Sequence, residues 1–467
     1  MVELEQTIKN VYFLGIGGIG MSALARYFKA KGYKVAGYDR TLSALTQKMQ
    51  AEEEIRINYI DEEEEIPAEF RDKTTTLVVY TPAIPGDNRQ RAYFVGAGFD
   101  LHKRAEVLGM ISRKGKAICV AGTHGKTTVS TLTAFLLKNS TVGCNAFLGG
   151  IAANFGTNLL LDRNSSYIVI EADEFDRSFL HLSPEIAVIT AMDEDHLDIY
   201  ENKANLLEAF EAFAGQVNPQ GGRLFLKKGL QLKQTLVTGY YGVEVKADCY
   251  ADGLRIEQGR YVFDYHGRGV DIEGLILGIP GRLNVENATA AITLALEAGV
   301  QPEEIRRALP DFKGVARRFN IQVYTEKTIY IDDYAHHPRE IEATLRSVRE
   351  MWPDRPVTVV FQPHLYTRTR DFQEDFARSL SLADRVVLLE IYPARERPIP
   401  GITAEVIRKR LTVPGNIVTK EELLQQIIPD FQGGILVTMG AGDIDRLVGE
   451  IGEKVKSKKL KAICYKL

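Results

Sequence analysis

Ala117-Ile-Cys-Val-Ala-Gly-Thr-His-Gly-Lys-Thr-Thr128 is the stretch on which the fold turns. An apolar run leads into a glycine-bracketed loop, then a lysine and two hydroxyls open a helix. A strict P-loop wants a glycine five residues before Gly125, but position 120 is Val, so this is a shortened relative of that pattern. The physics is unchanged. N–H groups across Gly122, Thr123, His124 and Gly125 can cradle phosphates, and Lys126 can reach the β/γ-phosphates. Thr127, followed by Thr128, offers a hydroxyl to Mg²⁺.

The same strand-then-helix alternation extends outward in both directions. Apolar runs occur at 11–14, 35–38, 77–80, 167–170 and 186–190, and again at 329–331, 357–361, 386–390 and 435–439. Such alternation predicts α/β layers with mostly parallel sheets, whose strands are buried on both faces and so read as continuous apolar runs. Polar breaks at 113–116 and near Gly314 divide the chain into blocks 1–114, 115–315 and 316–467. Residues 222–275 carry short β-like pieces with glycine turns, which predicts an antiparallel insertion.

Gly15-Ile16-Gly17-Gly18-Ile19-Gly20 is a second nucleotide-type loop, set between a strand and a helix. Its glycines allow a tight turn and close backbone approach, and the helix start favours a diphosphate. Asp39 ends the next strand, where an acid can bond a ribose hydroxyl. Taken alone, this pattern points to NAD. A dehydrogenase has no need of the Lys126 loop, however, and an ordinary ATPase has no need of the Gly15 loop. Together they suggest that ATP drives chemistry on a substrate that carries its own nucleotide handle.

The remaining chemistry-bearing residues also follow strand ends. Glu171 opens Glu-Ala-Asp-Glu-Phe-Asp-Arg-Ser, where a Mg²⁺-ATP site needs an acid. His196 sits among carboxylates in Asp193-Glu-Asp-His-Leu-Asp198, as a metal ligand or phosphate contact. Arg317-Arg318 can clamp phosphate. Asp332-Asp-Tyr-Ala-His-His-Pro338 and Phe361-Gln-Pro-His-Leu-Tyr-Thr-Arg-Thr-Arg370 leave strand ends, where open α/β sheets bind ligands.

Composition bounds the alternatives. The chain has 467 residues, 45% hydrophobic and 26% charged, with a net charge of −4. That excludes a mainly disordered chain and a coiled-coil rod. It offers nucleic acid no basic surface except the tail Lys454–Lys466, read as a solvated last helix. Four cysteines without a C-x-x-C pair fit a reducing compartment better than a disulfide framework or a zinc site. The apolar run 11–25 follows Glu3 and Glu5 and lacks a basic n-region, and no run reaches the roughly 18 residues of a membrane span. A cytoplasmic protein with no membrane partner is expected.

Taken in order, LGIGGIGMSALA, GTHGKTT, GGIAANFGTN, EADEFDRSF, DEDHLD, RRF, DDYAHHP, FQPHLYTRTR and MGAGDI resemble the Mur ligases of peptidoglycan synthesis, over essentially the whole chain. The resemblance implies a Rossmann-like first domain that holds the UDP of the substrate, a central P-loop ATPase domain, and a Rossmann-like third domain that brings the amino acid. The implied reaction joins the lactyl carboxylate of UDP-N-acetylmuramate to the amine of L-alanine while ATP is split to ADP and phosphate. The cofactors implied are ATP and Mg²⁺ (or Mn²⁺), in a monomer or weak homodimer.

By that resemblance Lys126 contacts the β/γ-phosphates, Thr127 and Glu171 hold one Mg²⁺, and Glu171 with His196 holds a second. Arg318 contacts phosphate, Asn287 the adenine, and Asp332 or Asp333 the ribose. Gly15, Gly17, Gly18, Ile19, Gly20, Asp39, Thr81, Asn154 and Thr157 fall to the UDP-sugar, the last two at its muramoyl group. Tyr334, His336 and Arg368 match the region that receives L-alanine. His196, His336 and His337 are candidate bases for the amine. Three positions depart from the family pattern: Leu365 in place of an arginine, Leu283 in place of a histidine, and Thr81-Pro82 in place of a serine pair. The competing assignments are a murein tripeptide ligase, an NAD-dependent oxidoreductase and a non-catalytic nucleotide-binding regulator.

Overall fold

The computed structural model describes residues 7–193, 200, 202–233, 237–394 and 396–464, with side chains through residue 456. Every apolar run of the strand-and-helix alternation read above forms a strand, within two residues of the expected limits. The described chain forms two compact units. One comprises residues 1–254, 262–276 and 286–313; the other comprises 255–261, 277–285 and 314–467.

The first sheet contains β1 (Asn10–Leu14), β2 (Lys34–Tyr38), β3 (Arg56–Asn58), β4 (Thr76–Tyr80) and β5 (Leu101–Lys103), in the order β3-β2-β1-β4-β5. All four pairings are parallel. The order reverses between β1 and β4, and the Gly15 loop leaves β1 at that crevice, where doubly wound sheets bind ligands.

The second sheet contains β6 (Lys116–Ala121), β7 (Asn145–Ala152), β8 (Thr157–Leu160), β9 (Tyr167–Glu171) and β10 (Pro184–Ile189). It continues with β11 (Arg223–Lys227), β12 (Gly239–Val243), β13 (Cys249–Glu257), β14 (Arg260–Gly267) and β15 (Val270–Ile276). Its order is β15-β14-β13-β12-β11-β10-β6-β9-β7-β8. Strand β6 runs parallel to both β10 and β9, so the loops that follow these three strands meet at one end of the sheet.

The expected antiparallel insertion needs correction. β11, β12 and β13 extend the parallel sheet, so the antiparallel part is confined to β13, β14 and β15: β14 pairs antiparallel with β15, and the two-residue link between Glu257 and Arg260 turns β13 back on its neighbour β14. Short alternating pieces look the same in either orientation. The difference lies in whether the connections return the chain to its starting end.

The third sheet contains β16 (Asn320–Tyr324), β17 (Thr328–Asp333), β18 (Val357–Phe361), β19 (Arg385–Leu388), β20 (Gly415–Ile417) and β21 (Gly434–Met439), in the order β16-β17-β21-β18-β19-β20. Only β16 is antiparallel to its neighbour. Helix Val448–Cys464 follows, as expected of the tail.

Within the first unit, the cores of the first two sheets merge. Phe13, Phe28 and Val79 join Phe147, Ile170 and Ile189 in one buried cluster. Polar contacts fix the same junction. The fully buried Asn158 donates to Ile19 O at 2.6 Å and Ser22 Oγ at 3.1 Å. Arg26 donates to Thr157 Oγ1 at 2.6 Å while pairing with Glu53 at 2.7 Å. A buried amide needs such partners, because leaving it unpaired costs about 1–3 kcal/mol. The helix that starts at Ile19 is thereby seated on β7 and β8.

Candidate active site

The Lys126 loop is a strand-to-helix turn held by its neighbours. Gly122 has φ 130°, and a Cβ there would sit 2.3 Å from Thr190 Oγ1 and 2.7 Å from Ala191 N. Only glycine permits both the dihedral and the approach. Thr123 N donates to Ala191 O at 3.1 Å, and Asp193 N donates to Thr123 Oγ1 at 3.1 Å. Thr190 Oγ1 donates to Ala121 O and to His124 O. His124 Nε2 faces Asp193 Oδ2 at 3.6 Å. Gly125 closes the loop at φ 83°, with the Asn287 carboxamide 2.8 Å from where its Cβ would lie. Asn287 and Thr128 are both buried beside the loop.

Helix Lys126–Lys138 starts with no side-chain cap. Thr127 Oγ1 donates to Glu171 Oε1 at 3.0 Å. The other carboxylate oxygen accepts from Gly149 N at 3.1 Å and from Ser130 Oγ at 3.4 Å. A hydroxyl and a carboxylate so placed suit a small hard cation. Mg²⁺ takes one or two protein oxygens and completes its shell with water and substrate phosphates. Among the described residues, no group of three His, Cys, Asp or Glu side chains is arranged to hold a metal without such help. His196, expected to complete a second site, lies outside the described residues.

Lys126 bonds Gly122 O at 2.8 Å and Glu174 Oε2 at 2.7 Å, with Asp173 at 3.8 Å. Burial opposes its charge, but Glu174, Asp173 and Glu171 outweigh that, and the ammonium is held above its ordinary range. Glu174 is fully buried. It is the acid that sequence reasoning passed over; within Glu171-Ala-Asp-Glu174, spacing gives no reason to separate it from its neighbours. Ser130 and the Gly149 N–H were also missed, because they reach Glu171 only through the helix and through β7.

At the first loop, a cavity of about 930 Å³ is lined by Gly15, Gly17, Gly18, Asp39, Thr41 and Thr81, among others. Asp39 Oδ2 accepts from Gly17 N at 2.7 Å and Oδ1 accepts from Thr41 N at 2.9 Å, so this acid shapes the loop itself. A Cβ on Gly15 would sit 2.6 Å from the Thr81 methyl group. A second cavity, of about 210 Å³, is lined by Ile19, Gly20, Arg104, Gly149, Glu171 and Asp173, among others. It joins the start of the Ile19 helix to the Lys126 site. Asn154 and Thr157 are engaged structurally. Asn154 bonds Asp311 O and Lys313 N, each at 2.7 Å, and Thr157 bonds Arg26.

In the second unit, Arg317 and Arg318 place their guanidinium carbons 5.1 and 5.0 Å from the Tyr334 ring centre. Arg317 also donates to Gly440 O at 2.6 Å and approaches Asp332 at 3.4 Å. Asp332 has no exposed surface and accepts from Thr438 Oγ1 at 2.8 Å, so in this conformation it offers a ribose no accessible oxygen. Asp333 accepts from Phe319 N, Ala335 N and Thr344 Oγ1 at 3.2, 2.9 and 3.0 Å. Burial nonetheless pushes its carboxyl up to about 6.

His336 lies within reach of the charges of Glu340, Arg368 and Arg318. Its Nδ1 lies 3.0 Å from Tyr334 O and 3.4 Å from Glu340 Oε2. Burial lowers its pKa; Glu340 opposes the shift, and Arg368 and Arg318 add to it. His337 instead caps helix Pro338–Met351, accepting from Arg339 N at 3.4 Å. Leu365 precedes the Arg368 helix at φ 72° and ψ 136°, a conformation that costs a side-chain-bearing residue about 1–3 kcal/mol. Leu283, the other departure, is exposed.

Comparison with known proteins matches this layout along the chain. The family described as "Mur ligase family, catalytic domain" matches residues 10–116, "Mur ligase middle domain" residues 120–295, and "Mur ligase, glutamate ligase domain" residues 317–442. A UDP-N-acetylmuramate–L-alanine ligase of Phocaeicola vulgatus is 52% identical, with 95% of this chain and 98% of that protein covered. One of Porphyromonas gingivalis is 49% identical, covering 94% and 98%. Among solved structures, the UDP-N-acetylmuramate–alanine ligase of Thermotoga maritima superimposes with a TM-score of 0.81 at 28% identity, covering 96% of this chain and 99% of that one. A murein peptide ligase of Psychrobacter arcticus, at 23% identity and a TM-score of 0.66 over 95% and 99%, shares the fold. With matches in sequence, fold and domain order across nearly its full length, the chain belongs to the Mur ligase family.

Proposed function

We propose that this chain is an ATP-dependent amide-forming ligase that joins L-alanine to the lactyl carboxylate of UDP-N-acetylmuramate, a step in making the peptidoglycan precursor. The observation that carries the proposal is the meeting of Lys126, Thr127 and Glu171 at the ends of β6 and β9, one small cavity away from the Gly15 loop. The reaction needs that proximity, because the acid to be activated belongs to the substrate that the first loop holds.

A carboxylate is a poor acyl donor. In the proposed sequence its oxygen attacks the γ-phosphorus of ATP, ADP leaves, and the acid becomes an acyl phosphate. The alanine amine then attacks the carbonyl carbon, loses a proton, and expels phosphate. Lys126 neutralises charge on the transferring phosphoryl group. Thr127 and Glu171 would hold Mg²⁺, which supplies further charge neutralisation at the phosphates. Asn287 and the N–H groups of residues 122–125 orient the nucleotide. Arg318, Tyr334, His336 and Arg368 form the proposed amino-acid region, and the lowered pKa of His336 keeps it neutral and able to accept a proton. Residues 1–114, 115–315 and 316–467 are the proposed domain limits. We place the protein in the cytoplasm as a monomer or weak homodimer; among the described residues, no helix is long and apolar enough to cross a membrane.

Phosphate release from ATP and Mg²⁺ tests the proposal, with UDP-N-acetylmuramate and, in separate reactions, L-alanine, glycine, L-serine or the L-alanyl-γ-D-glutamyl-diaminopimelate tripeptide. Turnover that requires both the UDP-sugar and L-alanine, and that is lost in Lys126→Ala, supports it. Turnover with the tripeptide alone replaces it with a recycling ligase.

A further inference from the structure

Three ordinary structural roles for Arg104 fail. First, among the described residues its guanidinium has neither an ion pair nor a hydrogen bond. Second, it is the first residue of helix Arg104–Ser112, where a cation opposes the helix dipole. Third, the capping contact at that helix start belongs to its neighbours, with Lys103 N donating to Glu106 Oε2 at 2.8 Å. The half-buried side chain instead lies over Gly20, where an added Cβ would sit 2.6 Å from its Nη1. Gly20 therefore also makes room for this guanidinium.

The other charged residues that line its cavity are acids. They are Glu171 and Asp173, and Ile19 and Gly20 at the start of the Ile19 helix line the same space. Under the proposed function, on which this inference rests, the substrate must bring its own carboxylate into this space. An arriving carboxylate facing two fixed ones is repelled unless a cation receives it. A guanidinium is suited to that task, because its two parallel N–H groups match the two oxygens of a carboxylate.

We propose that Arg104 is the carboxylate-recognition residue of this ligase. It binds the lactyl carboxylate of the sugar nucleotide bidentately and holds it beside Glu171 for attack on the γ-phosphorus. Arg104 thus distinguishes a sugar nucleotide that carries the acid from one that lacks it, while the Gly15 loop holds the diphosphate of both.

The test is a ligand-by-residue cycle. UDP-N-acetylmuramate and UDP-N-acetylglucosamine, which lacks the lactyl acid, are titrated into wild type, Arg104→Ala and Arg104→Lys by calorimetry without ATP. The wild type is expected to prefer the acid-bearing ligand. Arg104→Ala should weaken that ligand about 10–100-fold, the scale of a lost charged hydrogen bond, while leaving the other within about twofold. Retained binding of the second ligand also shows that the variant is folded. Arg104→Lys keeps the charge but not the fork, and should fall between the two. Equal weakening of both ligands would assign the guanidinium to the diphosphate and overturn the proposal, as would no weakening of either. Should Arg104→Ala fail to fold, the selective loss must appear in Arg104→Lys. Wild-type turnover in the phosphate-release assay separates the fate of this inference from that of the proposed reaction.

Discussion

Glu174 Oε2 lies 2.7 Å from Lys126 Nζ, and the carboxylate has no exposed surface. Lys126, the lysine proposed to contact phosphate, is therefore paired with a buried acid. Removing one partner of such a pair leaves an uncompensated buried charge, at a cost of about 3–5 kcal/mol, whereas removing both is much cheaper. Lys126→Met should lower stability in urea by that amount and reduce turnover by at least about 10²–10³-fold. The double variant Lys126→Met/Glu174→Gln should recover most of the stability and none of the activity. Additive losses in the double variant would show that the pair is not coupled.

Glu171 is held against the backbone at Gly149, where an added Cβ would stand 2.3 Å from Oε2. Gly149→Ala must push the carboxylate off its N–H partner and away from Thr127. Displacing a group that orients a metal ligand typically costs 10–100-fold in metal affinity. The Mg²⁺ concentration for half-maximal turnover should rise by about that factor, with the KM for the sugar nucleotide changed much less. An unaltered Mg²⁺ dependence in the folded variant would remove Glu171 from the proposed metal site.

These two sites differ in how far the sequence reveals them. Lys126, Thr127 and Glu171 are legible because each follows a doubly buried parallel strand, and such strands announce themselves as apolar runs. Gly149 is not, because β7 is interrupted by two glycines and pairs irregularly with β8. Glu174 and Asp333 were each quoted within a motif, but only burial distinguishes them from their acidic neighbours, and burial is a tertiary property. The parallel course of β11 to β13 was hidden because local alternation does not record strand direction. Arg104 carries no motif; its meaning comes from Gly20, a residue 84 positions away in the chain.

His336 should be visible in the pH profile. An ordinary histidine titrates near pH 6.5, and burial holds this one lower despite Glu340. The imidazole is therefore neutral through the physiological range and becomes protonated only in more acid solution. If it accepts the amine proton, the acid limb of kcat/KM for L-alanine should lie below about pH 6.5. His336→Asn should erase that limb and lower kcat/KM for L-alanine, leaving the KM for ATP within about twofold. An acid limb that persists in the variant would pass the role of base to another group.

Asp333 makes a stability prediction of definite sign. Its three hydrogen bonds favour the carboxylate, yet burial raises its pKa from 3.8 to about 6. The native state thus binds this proton more tightly than the unfolded chain does. The resulting stabilisation is complete below about pH 4 and is lost as pH rises through about 6. A difference of about two pKa units corresponds to about 3 kcal/mol. In Asp333→Asn that dependence is absent, although the carboxamide accepts at only one oxygen and forfeits part of the clasp on Phe319, Ala335 and Thr344. The stability of wild type relative to the variant should therefore decline by about 2–3 kcal/mol between about pH 4 and pH 7. Urea midpoints for both proteins across that interval measure the decline. Parallel midpoints would mean that the Asp333 carboxyl titrates alike in folded and unfolded chains, and that its three hydrogen bonds fully offset its burial.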